Sequence, residues 1–133
     1  ETTVAGGQAG WNDTVTITTR VSNVGSRDGD EVVQLYVRDP EASVTRPVLE
    51  LKAFKRVEVP AGESALLRFG LPIGQIGFYN RDLDYVVEPG RVDLLIGTSS
   101  SDLVEIGFIT VVPDPSGEPP RKVFDGRVEV EMT

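Results

Sequence analysis

The chain has 133 residues, no Cys and no His, so it suits a single domain that folds without disulfides or thiolate metal sites and lacks the commonest general base of neutral pH. Its formal net charge of −8, from 21 acidic and 13 basic residues, gives no basic footprint for nucleic acid and is repelled by anionic membrane surfaces. No apolar run has the length of a transmembrane helix, and the absence of Cys suits a cytosolic and an exported protein equally. The chain opens on Glu1, without an initiating Met or a leader pattern, as expected of a segment inside a longer polypeptide or one left by a processing cut.

Residues 1–12 open with a small-residue, Gly-rich stretch and read as a linker or lead-in. Trp11 has two readings, a ring that stacks on sugar and a strand-edge residue that caps the core. From 13 to 23 the pattern alternates strictly: Val15, Ile17, Thr19 and Val21 face one way, and Thr14, Thr16, Thr18 and Arg20 the other. That is a half-buried strand. The following turn carries Gly25 and Gly29 among Asn23, Asp28 and Asp30. Local Asx hydrogen bonding explains these residues, and an oxygen-lined calcium site is the alternative.

Residues 31–39, EVVQLYVRD, form the clearest strand, with Val33, Leu35 and Val37 inward and Tyr36 and Arg38 outward. A loop at 40–47 leads to a strand over 50–59. There Leu51, Ala53, Val57 and Val59 share one parity and Phe54 takes the other, which predicts a β-bulge or a change of partner near Ala53. The turn at 60–63 precedes a strand at 64–71 with Ala65, Leu67, Phe69 and Leu71 inward. Residues 72–77, PIGQIG, read as a crossing between sheets. Short strands follow at 85–87 and at 91–97, the latter with Val92, Leu94 and Ile96 inward. Residues 103–112 carry apolar side chains at both parities, so their end is expected to be covered on both faces.

About seven short strands at intervals of roughly 8–12 residues, with no window of helical period, define an all-β, immunoglobulin-like sandwich. Without Cys it is not of the antibody type. The expected organisation is a lead-in at 1–12, the sandwich at 13–112, and a Pro-rich spacer at 113–133. The alternating end of that spacer, RVEVEM, reads either as an extra edge strand or as the start of a connection.

Two carboxylate pairs, Asp28 with Asp30 and Asp82 with Asp84, raise the question of glycoside hydrolysis, which needs carboxyls roughly 5–5.5 Å apart across a bound sugar. Both pairs fall in turn sequences, where Asp is favoured for local hydrogen bonding.

The run VSNVGSRDGDEVVQLYVRDP at 21–40 closely resembles the C-terminal fibronectin type III-like domain of glycoside hydrolase family 3 enzymes. The resemblance continues in order through Pro47 and LKAFKRV at 51–57, PAGE at 60–63, GFYN at 77–80, VVEPG at 86–90, Ile96-Gly97 and SSSD at 99–102. Ala53 stands where the family has Gly, and Tyr85 where an aromatic, often Trp, precedes the turn. The resemblance covers about residues 15–112 and implies a fibronectin type III-like β-sandwich of about seven strands.

It also implies that chemistry is performed elsewhere, on a (β/α)₈ barrel and a following α/β domain, in enzymes acting on β-linked glucosides, xylosides or N-acetylglucosaminides. No catalytic, cofactor or metal residue carries over to this chain. The implied partners are those catalytic domains and, in some cases, further copies of the enzyme. Two other roles compete, a carbohydrate-binding module and a stand-alone adhesion domain. Trp11, Tyr36, Phe54, Tyr79 and Tyr85 are the aromatic candidates for sugar, and alternation leaves Tyr36 and Phe54 outward as the residues expected to contact sugar or a partner. A docking domain is expected to expose an apolar patch, with Leu66, Val44 and Val48 as candidates.

Overall fold

Strand alternation organises the computed structural model, which describes residues 2–4, 7–38, 49–79, 81–98, 102–122 and 127–132. In chain order the strands are β1 (Thr2–Val4), β2 (Gln8–Gly10), β3 (Thr14–Ser22), β4 (Gly29–Arg38), β5 (Glu50–Val59), β6 (Ser64–Pro72), β7 (Phe78–Tyr79), β8 (Tyr85–Val86), β9 (Gly90–Gly97), β10 (Val104–Val112) and β11 (Arg127–Met132). One sheet has the order β1-β3-β6-β11, the other β2-β10-β9-β4-β5, and β7 and β8 form a separate hairpin. Pairing is antiparallel except between β2 and β10. The two sheets make the sandwich expected from the pattern.

The core lies between them, where the period-2 residues of each sheet meet. Val15 and Ile17 of β3 and Ala65, Leu67, Phe69 and Leu71 of β6 face Val33, Leu35 and Val37 of β4, Val92 and Leu94 of β9, and Ile109 and Val111 of β10 in one buried cluster. Leu35, Leu67, Phe69, Leu94 and Ile109 are each 0% exposed. Burying each such side chain contributes roughly 1.5–3 kcal/mol, so these central positions dominate the stability of the fold.

Two bulges redirect side chains. The register between β4 and β5 shifts between Leu35 and Tyr36, so Ala53 pairs with Leu35 but Leu51 pairs with Tyr36. Ala53 packs against the core, whereas Leu51, grouped with it by parity, turns to the outward face and is 45% exposed. The extra residue between them, Lys52, resets the alternation. In β10 the register shifts between Glu105 and Gly107, which moves the core parity from Ile106 to Ile109 and Val111 and leaves Phe108 outward. Apolar residues at both parities here mark a bulge, not a strand covered on both faces.

Pairing extends beyond residues 13–112. Residues 8–10 lie parallel to β10, and the Trp11 amide continues the contact by donating to the Val112 carbonyl at 3.0 Å. A strand of three residues is too short to carry an alternation signal. RVEVEM supplies β11 along β6 over six residue pairs, from Arg127↔Gly70 to Met132↔Ala65. The crossing at 72–77 contains a 3₁₀ turn, Ile73–Ile76, with Ile73 and Ile76 buried.

The turn before β4 is closed by Asn23. Its side chain donates to the carbonyls of Arg27 (2.7 Å) and Val59 (2.8 Å) and accepts from the Gly25 amide (2.9 Å). At the far end of β9, a side chain at Gly97 would meet the Asp102 backbone oxygen at 2.9 Å, so Asp102 lies against a position only glycine fills.

Candidate interaction face

The outward face of the five-stranded sheet gathers the chain's unusual surface residues. On β4 the outward set includes Gln34, Tyr36 and Arg38. Phe54 of β5 lies opposite Gln34, and Leu51 lies opposite Tyr36. On the other side of β4, Leu95 pairs with Tyr36 and Asp93 with Arg38. Beyond β9, Phe108 of β10 lies opposite Asp93, and Glu105 lies opposite Leu95.

The apolar part of this face is graded. Phe54 is 63% exposed and Phe108 47%. Tyr36 is half-buried, and its hydroxyl donates to Gln34 Oε1 at 2.8 Å. Leu95 is buried although it lies outside the core between the sheets. The two sequence-predicted contact residues therefore share one face, with Phe54 standing out from it and Tyr36 lying into it.

The charged part is an ion cluster centred on Asp93, a buried carboxylate on a strand face. Arg38 Nε and Nη2 donate to its Oδ2 at 3.1 and 3.0 Å, and Arg91 Nε donates to its Oδ1 at 2.7 Å. Glu105 sits 3.7 Å from Arg38 and 3.5 Å from Arg91. The Arg91 guanidinium also lies 4.3 Å from the centre of the Phe108 ring, a cation–π contact. Burial by itself would raise the Asp93 carboxyl, but the hydrogen bonds from Arg91 and Arg38 outweigh it and hold the group below the ordinary carboxylate range. Further along, Arg56 pairs with Asp30. Most of the charge on this face is thus paired within it, with exposed Glu58 opposite Asp30 as a further carboxylate. Sequence reading missed this cluster, although a signal existed: Arg91 and Asp93 stand at successive outward positions of an otherwise apolar strand.

The outward face of the four-stranded sheet is different. It presents Thr14, Thr16, Arg68, Gly70, Arg127 and Glu129 around a polar groove of about 700 Å³. Leu66, expected in an exposed patch, is half-buried here, because β11 lies along β6 and sets Glu131 opposite it. Val44 and Val48 lie outside the described residues.

The other candidates have structural partners. Trp11 packs against the core, and its Nε1 donates to the Glu118 carbonyl at 2.8 Å. Asn12 fastens the same stretch by donating to Asp114 Oδ2 (2.9 Å) and Pro119 O (3.1 Å) and accepting from the Arg121 amide (2.9 Å). The Ser116 hydroxyl, Asn12 and the Ser116 amide all donate to Asp114 and hold its carboxyl below the ordinary range. Tyr79 and Tyr85 meet edge to face at 5.3 Å, and Lys122 lies 4.6 Å from the centre of the Tyr79 ring. The Tyr85 hydroxyl donates to the Gly74 carbonyl.

Of the carboxylate pairs, Asp28 accepts from the Ala61 amide at 2.9 Å and Asp30 from Arg56, so both serve the turn and its neighbouring strand. Asp82 and Asp84 lie exposed in the segment between β7 and β8. Among the described residues no three carboxylates gather as a metal site. The Asn23 oxygen accepts from the Gly25 amide, the local Asx hydrogen bonding expected of this turn.

Fold and face together define an all-β sandwich module with one outward face of mixed apolar and charged residues. The chain belongs to the fibronectin type III-like domain family, whose model matches residues 31–100. It is 45% identical over 89 residues to a beta-xylosidase of Formosa agariphila, covering 67% of this chain and 12% of that protein. It is 42% identical over 94 residues to thermostable beta-glucosidase B of Acetivibrio thermocellus, covering 70% of this chain and 12% of that one. Among solved structures, the beta-glucosidase of Listeria innocua in complex with glucose matches with a TM-score of 0.76 and 34% identity, over 84% of this chain and 16% of that one. The Bifidobacterium adolescentis GH3 beta-glucosidase matches with a TM-score of 0.74 and 34% identity, over 83% of this chain and 16% of that one. The chain therefore spans about 12% of the length of these curated relatives.

Proposed function

We infer that this chain is a non-catalytic accessory domain of a family 3 glycosidase, packing against and stabilising the catalytic domains of the same polypeptide. The observation that carries this reading is the position of the likeness: it is confined to a sandwich segment that makes up 12% of a beta-xylosidase and of a beta-glucosidase. The residues agree with a supporting role. The carboxylates at 28, 30 and 93 are engaged in turn and cross-strand hydrogen bonds, an arrangement suited to holding strands rather than to cleaving a glycosidic bond.

The test is the intact mass of the native polypeptide, joined to hydrolysis of aryl β-glucosides and β-xylosides. The expected result is a mass several times the 14.4 kDa of this chain, with activity in the full polypeptide and none in the 133-residue chain. A native mass near that of this chain, or hydrolysis by the chain alone, overturns the reading.

A further inference from the structure

We propose that the outward face of the five-stranded sheet, centred on Phe54 and continuing through Leu51, Tyr36 and Phe108, is the surface by which this domain docks on another folded domain of its own polypeptide. This rests on the accessory-domain reading and adds to it the face, the anchor residue and the chemistry of the partner surface.

The contrast between the two outer faces selects the side. The four-stranded sheet presents Thr14, Thr16, Arg68, Arg127 and Glu129, which water solvates well. The five-stranded sheet places Phe54 (63% exposed) and Leu51 (45%) on adjacent outward positions beside Tyr36, with Phe108 (47%) across β9. Large aromatic side chains standing out from a rigid strand lose little conformational freedom on contact and anchor interfaces well.

Charge defines the partner's chemistry. The chain as a whole carries −8, yet on this face Arg38 and Arg91 are matched by Asp93 and Glu105, and Arg56 by Asp30. Carboxylates that are already paired do not need counter-charges from a partner, and although exposed Glu58 opposite Asp30 adds one more carboxylate, the face carries far less net charge than the chain as a whole and imposes less repulsion. The fitting occupant is therefore a surface of low charge with an apolar hollow for the Phe54 ring and a polar rim. The relatives supply the room for such a domain, since the matched segment is 12% of their length.

The test is hydroxyl-radical footprinting of the native full-length polypeptide against the 133-residue chain, read at Phe54, Leu51 and Phe108, with Leu83 and Met132 as exposed internal references elsewhere. The expected result is a several-fold slower oxidation of Phe54 and Phe108 in the full polypeptide, with the references unchanged. Unchanged rates at Phe54 and Phe108 overturn the proposal; if Leu66 is protected instead, docking uses the other sheet, and the accessory-domain reading survives. A native mass equal to this chain fails that reading itself and is seen before any footprint is taken. Phe54→Asp gives a second readout: it is expected to lower the melting temperature of the full polypeptide, leave that of the 133-residue chain within a degree or two, and be rescued by Phe54→Leu. If the 133-residue chain sediments as a dimer that Phe54→Asp disperses, the occupant is a second copy, and the proposal is overturned.

Discussion

Replacing Asp93 with Asn tests whether the buried ion cluster holds the outward face together. The carboxylate is 7% exposed and accepts three hydrogen bonds, two from Arg38 and one from Arg91. The amide keeps one acceptor oxygen and turns its NH₂ toward a guanidinium that also donates. A hydrogen bond to a charged group contributes about 1.5–3 kcal/mol, and breaking a buried pair costs about 3–5 kcal/mol. The Arg38 and Arg91 side chains are 35% and 50% exposed, so water takes up much of what they lose. A loss of about 2 kcal/mol is expected, which at a urea m-value of about 2 kcal/mol/M lowers the unfolding midpoint by about 1 M with the slope unchanged.

The pH dependence provides a second check. The folded-state pKa of Asp93 is depressed, so its contribution is fully present above the unfolded carboxylate pKa of about 4 and is lost as pH falls through the folded value. The gap between Asp93→Asn and the parent should hold at pH 7 and close as pH falls below about 4. Equal midpoints at pH 7, or a gap that persists unchanged to pH 2, would refute the claim that the charged carboxylate stabilises this face.

Leu35→Ala empties a fully buried position on the central strand; thermal or urea unfolding should show a loss of about 2–5 kcal/mol. Gly77→Ala would set its new carbon 2.6 Å from the Tyr85 ring, which is held by its hydroxyl on Gly74, so calorimetry should show a loss of about 1–3 kcal/mol. Trp11→Phe keeps an aromatic ring but removes the donor to Glu118; a loss of about 1 kcal/mol is expected, with faster proteolysis around residue 118 as the structural readout.

The legible part of the fold was the part governed by strict alternation. Val15 and Ile17, Val33 to Val37 in steps of two, and Ala65 to Leu71 in steps of two all sit in the core, because a strand buried on one face has no freedom to place them elsewhere. Legibility fails where one residue is inserted. Leu51 and Phe108 are outward because of bulges at Lys52 and near Ile106, and periodicity signals that a bulge exists without saying which residues it turns. The outward face of the five-stranded sheet was half legible. Tyr36 and Phe54 share the predicted side, but Leu95, Asp93 and Phe108 join them only through strand order, and that β9 sits between β4 and β10 is a long-range pairing that local sequence does not encode. Leu66 was misjudged for the same reason, since the strand beside it arrives from more than fifty positions away in the chain.

The strand β6 includes ALLRFG at 65–70, the kind of short, apolar, weakly charged segment that stacks into amyloid when its edge is open. In the folded chain it has β3 on one flank and the charged β11 on the other, paired at every one of those six residues. The Pro-rich stretch leading to β11 is therefore also a point of vulnerability. A single proteolytic cut there that releases β11 uncovers six unpaired rungs, and fibril growth seeded by the nicked chain, followed by thioflavin fluorescence, is what such a cut should produce.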